Sequence, residues 1–209
     1  MITMSIWSML IYRMGMPLAL CSGKRAKLAL ALSHFVIINH CEKNMSVSEV
    51  EKQVYDLLDE MQISYEVTNH PPVFTIEEML AVDIQHPESV VKNLFLRDDK
   101  KKNYYLVVMD KDKQVNLKEL KDKLGGRPLR FASEDDLYKY LALTKGAVTP
   151  FGVINDADSA VTVVIDNVLS SYKFIGIHPN TNTATVWIAV GDLVKLVESR
   201  GNKILFMDV

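Results

Sequence analysis

The chain of 209 residues predicts an α/β fold of the α+β kind, a mixed, curved β-sheet with flanking helices. Three observations carry this expectation. Segments of helical and of strand periodicity follow one another in mixed order rather than in blocks of one kind. Ser, Thr or Asn stands directly ahead of most helical segments, where an N-cap is needed. The composition, 48% hydrophobic and 24% charged, is that of an ordinary globular chain long enough for a proper core.

Taken in order, Ser46 and Ser48 each have a glutamate three residues on, Glu49 and Glu51, as a capping box requires. Val47, Val50, Val54, Leu57, Leu58 and Met61 then recur at helical spacing. Residues 64–69 read as a strand broken by Pro71 and Pro72, and Thr75 with Glu78 opens a short helix to Ala81. Residues 89–97 and 103–109 read as two strands of a hairpin, joined by the charged link Asp98 to Lys102. Asn116 caps a helix that stops before Gly125 and Gly126. Pro128 to Ala132 reads as a strand, and Ser133 caps a helix to Leu141. Gly146 to Gly152 is a loop by composition. Strands follow at 161–166, 172–178 and 183–188, then a helix over 191–199 and a last strand over 203–207.

Residues 1–44 differ from the rest. They carry Arg13, Lys24, Arg25, Lys27 and Lys43 against Glu42 alone, a net +4, which leaves residues 45–209 at −6 in a chain of net −2. A secretory signal, an organellar transit peptide and a true start at Met45 are the competing readings of this extension. The last is favoured, because a clean helix start follows Met45 at once. The expected organisation is therefore an extension over 1–44 and one domain over 45–209. The weak net charge supplies no global basic field, so any nucleic-acid contact must be local. Both cysteines, Cys21 and Cys41, precede Met45, which excludes a disulfide framework or thiolate nucleophile in the main body and suits a reducing, cytoplasmic setting. No apolar run is long enough to predict a membrane span.

Three features can carry chemistry. Lys92 shares its strand face with Val90, Leu94 and Leu96, an apolar row. Such a lysine must snorkel to solvent, find a carboxylate or face a cavity where a ligand brings negative charge. The segment Gly146-Ala147-Val148-Thr149-Pro150, followed by Phe151-Gly152, is either a plain turn or a loop aiming main-chain groups at a small ligand. His178-Pro179 ends a strand ahead of a polar turn and is either a surface histidine, a proton carrier or a pocket wall. No nucleophile elbow, phosphate-binding glycine loop or His-Glu-x-x-His helix occurs. His34, His40, His70 and His86 stand apart from one another, so no zinc site is expected. The stretches Lys100 to Lys102 and Lys111 to Arg130 are interleaved with acids and read as solvated surface.

From Met45 to Val209 the chain resembles the YbaK/ProX family of trans-editing domains, relatives of the insertion domain of bacterial prolyl-tRNA synthetases. The resemblance rests on Val91-Lys92-Asn93-Leu94-Phe95-Leu96, Val115 to Leu120, Leu129-Arg130-Phe131-Ala132-Ser133, Gly146 to Gly152, and His178-Pro179-Asn180-Thr181-Asn182-Thr183-Ala184-Thr185, in that order and spacing. It looks closest to the ProX branch, which clears alanine from proline tRNA. The resemblance implies a deacylase that needs no cofactor or metal and acts on the acceptor end of mischarged proline tRNA. Prolyl-tRNA synthetase is a second candidate partner. By the same resemblance Lys92 is the essential lysine. Gly146, Ala147, Val148, Thr149 and Pro150 form the loop that holds the aminoacyl group, and His178 and Asn182 belong to the substrate site. The implied chemistry is substrate-assisted, with the free ribose hydroxyl orienting water against the ester. The alternatives are release of cysteine or serine instead of alanine, and a binding module without turnover.

Overall fold

The run Tyr104–Met109 is buried at every position, because it is the central strand of a sheet covered on both faces. Strand alternation divides it: Tyr104, Leu106 and Val108 turn to one side, and Tyr105, Val107 and Met109 to the other. The computed structural model describes residues 47–209, so the expectations for residues 1–44 lie outside the described residues.

The elements are α1 (Val47–Glu60), β1 (Tyr65–Asn69), α2 (Ile76–Ala81), β2 (Val91–Asp98), β3 (Tyr104–Asp110), α3 (Leu117–Lys123), β4 (Leu129–Phe131), α4 (Glu134–Leu141), β5 (Val161–Asp166), β6 (Ile175–Ile177), β7 (Ala184–Ile188), α5 (Val190–Ser199) and β8 (Ile204–Met207). The α+β class holds, with the strands divided between two sheets. The larger runs β4-β2-β3-β5-β8, antiparallel on the β2 side of β3 and parallel through β5 and β8. The smaller, β1-β7-β6, is antiparallel throughout. A single parallel bridge, Val90 to Gly176, joins them.

Packing follows the apolar patterns. Val54 and Leu58 of α1 meet Leu193, Leu196 and Val197 of α5 in the core between the two sheets, with Val186 and Ile188 of β7 and Val163 and Ile165 of β5. Leu120 of α3 covers the opposite face of the larger sheet, over Leu96, Val107 and Met109. Leu137 and Leu141 of α4 pack on Phe95, Tyr104 and Leu106. On the other face of β7, Trp187 packs with Met79 of α2, Val73 and Val90. Asn116 and Ser133 cap as the sequence predicts: Asn116 accepts from the Lys118 and Glu119 amides, and Ser133 and Asp136 complete a capping box, whereas Ser48 lies inside α1 and is not its N-cap.

Two segments differ from expectation. The strand anticipated over 172–178 shortens to Ile175–Ile177, because the chain bends at Lys173 and pairs with β7 only from Ile175. The loop anticipated over Gly146–Gly152 is a loop only in its first half. From Pro150 to Asn155 it winds into a 3-10 helix, with proline at the start and the Thr149 hydroxyl accepting the Phe151 amide. The charged stretches are tied locally, Lys101 to Asp136, Lys111 to Asp112 and Arg127 to Asp98 and Asp99.

Candidate functional site

The seam between the sheets opens into a cavity of about 230 Å³. Its walls are Val73, Phe74 and Met79 from the α2 region, Val90, Lys92 and Asn93 from the start of β2, Gly146 and Val148 from the loop, and Gly176, His178 and Thr185 from the smaller sheet. Gly176 is needed at this crossing. A Cβ there would lie 2.4 Å from the Trp187 ring, which packs directly over its backbone.

Lys92 lies on the strand face of Leu94 and Leu96, as alternation requires, and that face is covered further along by α3. Its Nζ donates to the Lys113 carbonyl at 2.7 Å, so the lysine finds a carbonyl where a carboxylate was one expectation. Lys113 is held in turn by the fully buried Asp166 carboxylate at 2.8 Å. The carbonyl that orients Lys92 is thus tethered to β5, and the ammonium keeps two further protons for other acceptors.

Asn93 ties the loop to the strand. Its Nδ2 donates to the Val148 carbonyl at 3.1 Å, while its Oδ1 is buried without a hydrogen-bond partner. Gly146 has φ +87°, and a Cβ there would stand 2.6 Å from the Phe74 ring. Only glycine combines that backbone with that contact at little cost. Phe74 itself is exposed at the cavity wall, and its amide donates to the Glu78 carboxylate.

His178 Nδ1 donates to the Ala184 carbonyl at 2.8 Å. Because a carbonyl can only accept, Nδ1 carries the proton and Nε2 is the free nitrogen of the neutral ring. Burial pushes the imidazole below its usual value. The hydrogen bond to Ala184 opposes this, and nearby His70 adds to it. His70 is likewise oriented, Nδ1 to the Pro71 carbonyl and Nε2 to the Thr185 hydroxyl, with the two rings 5.7 Å apart.

Of the residues singled out in the sequence, Lys92, Gly146, Val148 and His178 meet at the cavity. Ala147, Thr149 and Pro150 do not line it; all three are buried behind the loop, where Thr149 caps the 3-10 helix. Asn182 stands behind the wall and donates to the Val73 carbonyl at 3.1 Å. Sequence reasoning missed Phe74, Met79, Asn93, Gly176 and Thr185 as walls, and His70 as a neighbour of His178. His70 arrives through the β1–β7 register, which pairs Asn69 with Ala184. No local pattern announces that pairing. Asn93, by contrast, is adjacent to Lys92 and was legible. Among the described residues no group of three or more His, Cys, Asp or Glu side chains is placed to hold a metal ion. No helix there is long and apolar enough to cross a membrane.

Comparison with known proteins gives the family. Residues 70–196 match the family described as the aminoacyl-tRNA editing domain. The chain is 51% identical over 154 residues to the prolyl-tRNA editing protein ProX of Acetoanaerobium sticklandii, covering 74% of this chain and 94% of that protein. It is 38% identical over 163 residues to prolyl-tRNA synthetase associated domain-containing protein 1 of Mus musculus, covering 76% and 95%. Its fold is similar to the crystal structure of a candidate trans-editing enzyme for prolyl tRNA synthetase, with TM-score 0.58 and 18% identity over 79% of this chain and 99% of that one. The matched segment begins before Val73 and ends after Thr185, so it contains every wall of the cavity, and the chain belongs to the aminoacyl-tRNA editing domain family.

Proposed function

We propose that the protein hydrolyses mischarged aminoacyl-tRNA(Pro), with alanyl-tRNA(Pro) as substrate. The observation that carries this reading is the gathering of Lys92, Gly146, Val148 and His178 around one small cavity inside the family-matched segment. The 51% identity to a prolyl-tRNA editing protein supports it.

In this reading the aminoacyl group enters the cavity and the ester lies near Lys92. Water adds to the ester carbonyl carbon, the bond to the ribose oxygen breaks, and free alanine and deacylated tRNA leave. Lys92 supplies positive charge to the phosphate or ester oxygens, a contact that matters most as negative charge develops. The free ribose hydroxyl orients the water. Neutral His178 walls the pocket and offers Nε2 as an acceptor. The protein contributes position, charge and shape. A proline-binding site cannot strongly reject a smaller residue, because each missing apolar group is worth only about 1–3 kcal/mol. A second, smaller pocket that excludes proline by size removes what the first accepts.

The tRNA acceptor end is the partner that this reaction requires, and prolyl-tRNA synthetase is the partner from which a released product would be captured. A cytoplasmic setting follows, since translation consumes the substrate there. The deciding experiment is deacylation of alanyl-, cysteinyl-, seryl- and prolyl-tRNA by the purified protein. Fast release of alanine with prolyl-tRNA spared upholds the reading, preferential release of cysteine or serine reassigns the substrate, and binding without turnover replaces the enzyme with a binding module. Residues 45–209 form the working domain in this proposal. Removing residues 1–44 is expected to leave both the melting temperature and the alanine-release rate unchanged.

A further inference from the structure

A second cavity, about 300 Å³, lies beside the first and shares two of its walls, Asn93 and Val148. Its other walls include Phe131 at the end of β4, Ser133 at the start of α4, and Lys145 just before the loop. The motif Leu129 to Ser133 has no part in the chemistry proposed above, yet its last three residues, Phe131, Ala132 and Ser133, form one side of this cavity.

Three observations limit what fits there. Phe131 is a large aromatic residue left 58% exposed at the end of an edge strand, where burial would be the ordinary outcome. β4 pairs with β2 only over Leu96–Asp98, and the Ala132 amide reaches back to the Phe95 carbonyl. In an antiparallel strand alternate residues turn their main-chain groups to the same edge. The next residue back from Phe95 on that edge is Asn93, and no strand pairs it there among the described residues. Its N–H and C=O are therefore an adjacent donor and acceptor at the wall. Finally, Lys145 is the cationic residue among the walls, 83% exposed at its side chain, and stands 3.9 Å from the carboxylate of Glu134, which also lines the cavity. An aromatic surface, a paired donor and acceptor, and an exposed cation are the recognition chemistry of a nucleotide.

We infer that this cavity is the subsite for the terminal adenosine of the tRNA, with the base against Phe131 and the main chain of Asn93, and the phosphodiester toward Lys145. This rests on the deacylase reading, and it deepens that reading. An aminoacyl ester in the first cavity places its ribose at the Asn93–Val148 partition, so the attached base falls on the far side. Adenine presents a donor and an acceptor side by side, which matches the free edge of Asn93.

The test uses the full chain with Phe131→Ala and Phe131→Tyr, assayed on alanyl-tRNA(Pro), with thermal unfolding measured on each. Phe131→Ala should raise KM about tenfold, the usual scale of one base–aromatic stack, with kcat within about twofold and unfolding unchanged. Phe131→Tyr should keep the parental KM. An unchanged KM in a folded, active Phe131→Ala protein overturns the subsite and leaves the deacylase reading standing. If the parent releases no amino acid, the deacylase reading fails instead. A titration with 5′-AMP followed by amide NMR then decides the subsite. Shifts at Asn93, Phe131 and Ser133 uphold it, and shifts elsewhere or none at millimolar AMP overturn it.

Discussion

The two ends of β2 are built on opposite plans. At the hairpin end the Asp98 carboxylate, 1% exposed, accepts from the Lys100 and Lys102 amides and the Asn103 side chain, with Arg127 at 3.5 Å. Burial alone would raise its pKa, but those donors and the guanidinium hold it below the ordinary carboxylate value. At the other end Lys92 has one carbonyl partner, Asn93 keeps an unpartnered Oδ1, and the strand opens on cavities to both sides. A carboxylate with both oxygens occupied marks the end that holds the fold together. Spare polar groups mark the end with capacity left for a ligand.

Lys92→Ala breaks the comparison at its open end and should have the largest effect. Loss of a charge-assisted contact in a sheltered site costs about 2–4 kcal/mol, roughly 30- to 1,000-fold in alanyl-tRNA deacylation. Only one hydrogen bond, that to Lys113, is lost from the fold, so stability should fall by no more than about 1.5 kcal/mol. Activity within a few-fold of the parent would remove Lys92 from the mechanism. Asp98→Ala inverts the pattern. It strands three donors and should cost about 2–3 kcal/mol of stability by denaturant unfolding, while kcat of the folded fraction stays at the parental value. A fall in kcat without unfolding would show that the hairpin end also serves the reaction.

Gly146→Ala is smaller. An L-residue at φ +87° costs about 1–2 kcal/mol, and its Cβ must push the Phe74 ring aside. Both a lowered melting temperature and a raised KM are expected, and a change in neither would show that loop and ring adjust freely. The smallest effect concerns pH. The folded His178 pKa is lowered, so below about pH 6.5 the unfolded chain binds more protons and stability falls with pH. His178 contributes its stability above its unfolded pKa, and this is lost as pH drops through the folded value. The slope cannot exceed about 1.4 kcal/mol per pH unit, that of one proton. His178→Asn should flatten unfolding free energy against pH over this range, and an unaltered slope would show that His178 does not carry the dependence. The same variant should weaken selectivity among small amino acids if His178 walls the pocket.

What was legible in the sequence was local. Asn116, Ser133 and Thr75 announced their helices because a cap bonds within its own turn. The β2–β3 hairpin was legible because a short charged link leaves one partner within reach. Lys92 stood out because alternation is a short-range rule. The division into two sheets was not legible: β1 pairs β7 and Val90 bridges Gly176 at long sequence separation, and several apolar strands were equally eligible. Which residues of the Gly146–Pro150 run face the cavity was not legible either, for a related reason. A loop motif states which residues are adjacent. It does not state which turn inward to cap a 3-10 helix and which outward to a cavity.

The pairing of β1 with β7 has a consequence for synthesis. Tyr65 has no strand partner until Ile188 has been made, and the smaller sheet supplies the Gly176, His178 and Thr185 walls of the first cavity. A ribosome emits the larger sheet's β2–β3 hairpin before β7, and the nascent chain cannot close the pocket until β7 has emerged. Truncated products released before β7 therefore carry Lys92 and the glycine loop without a pocket.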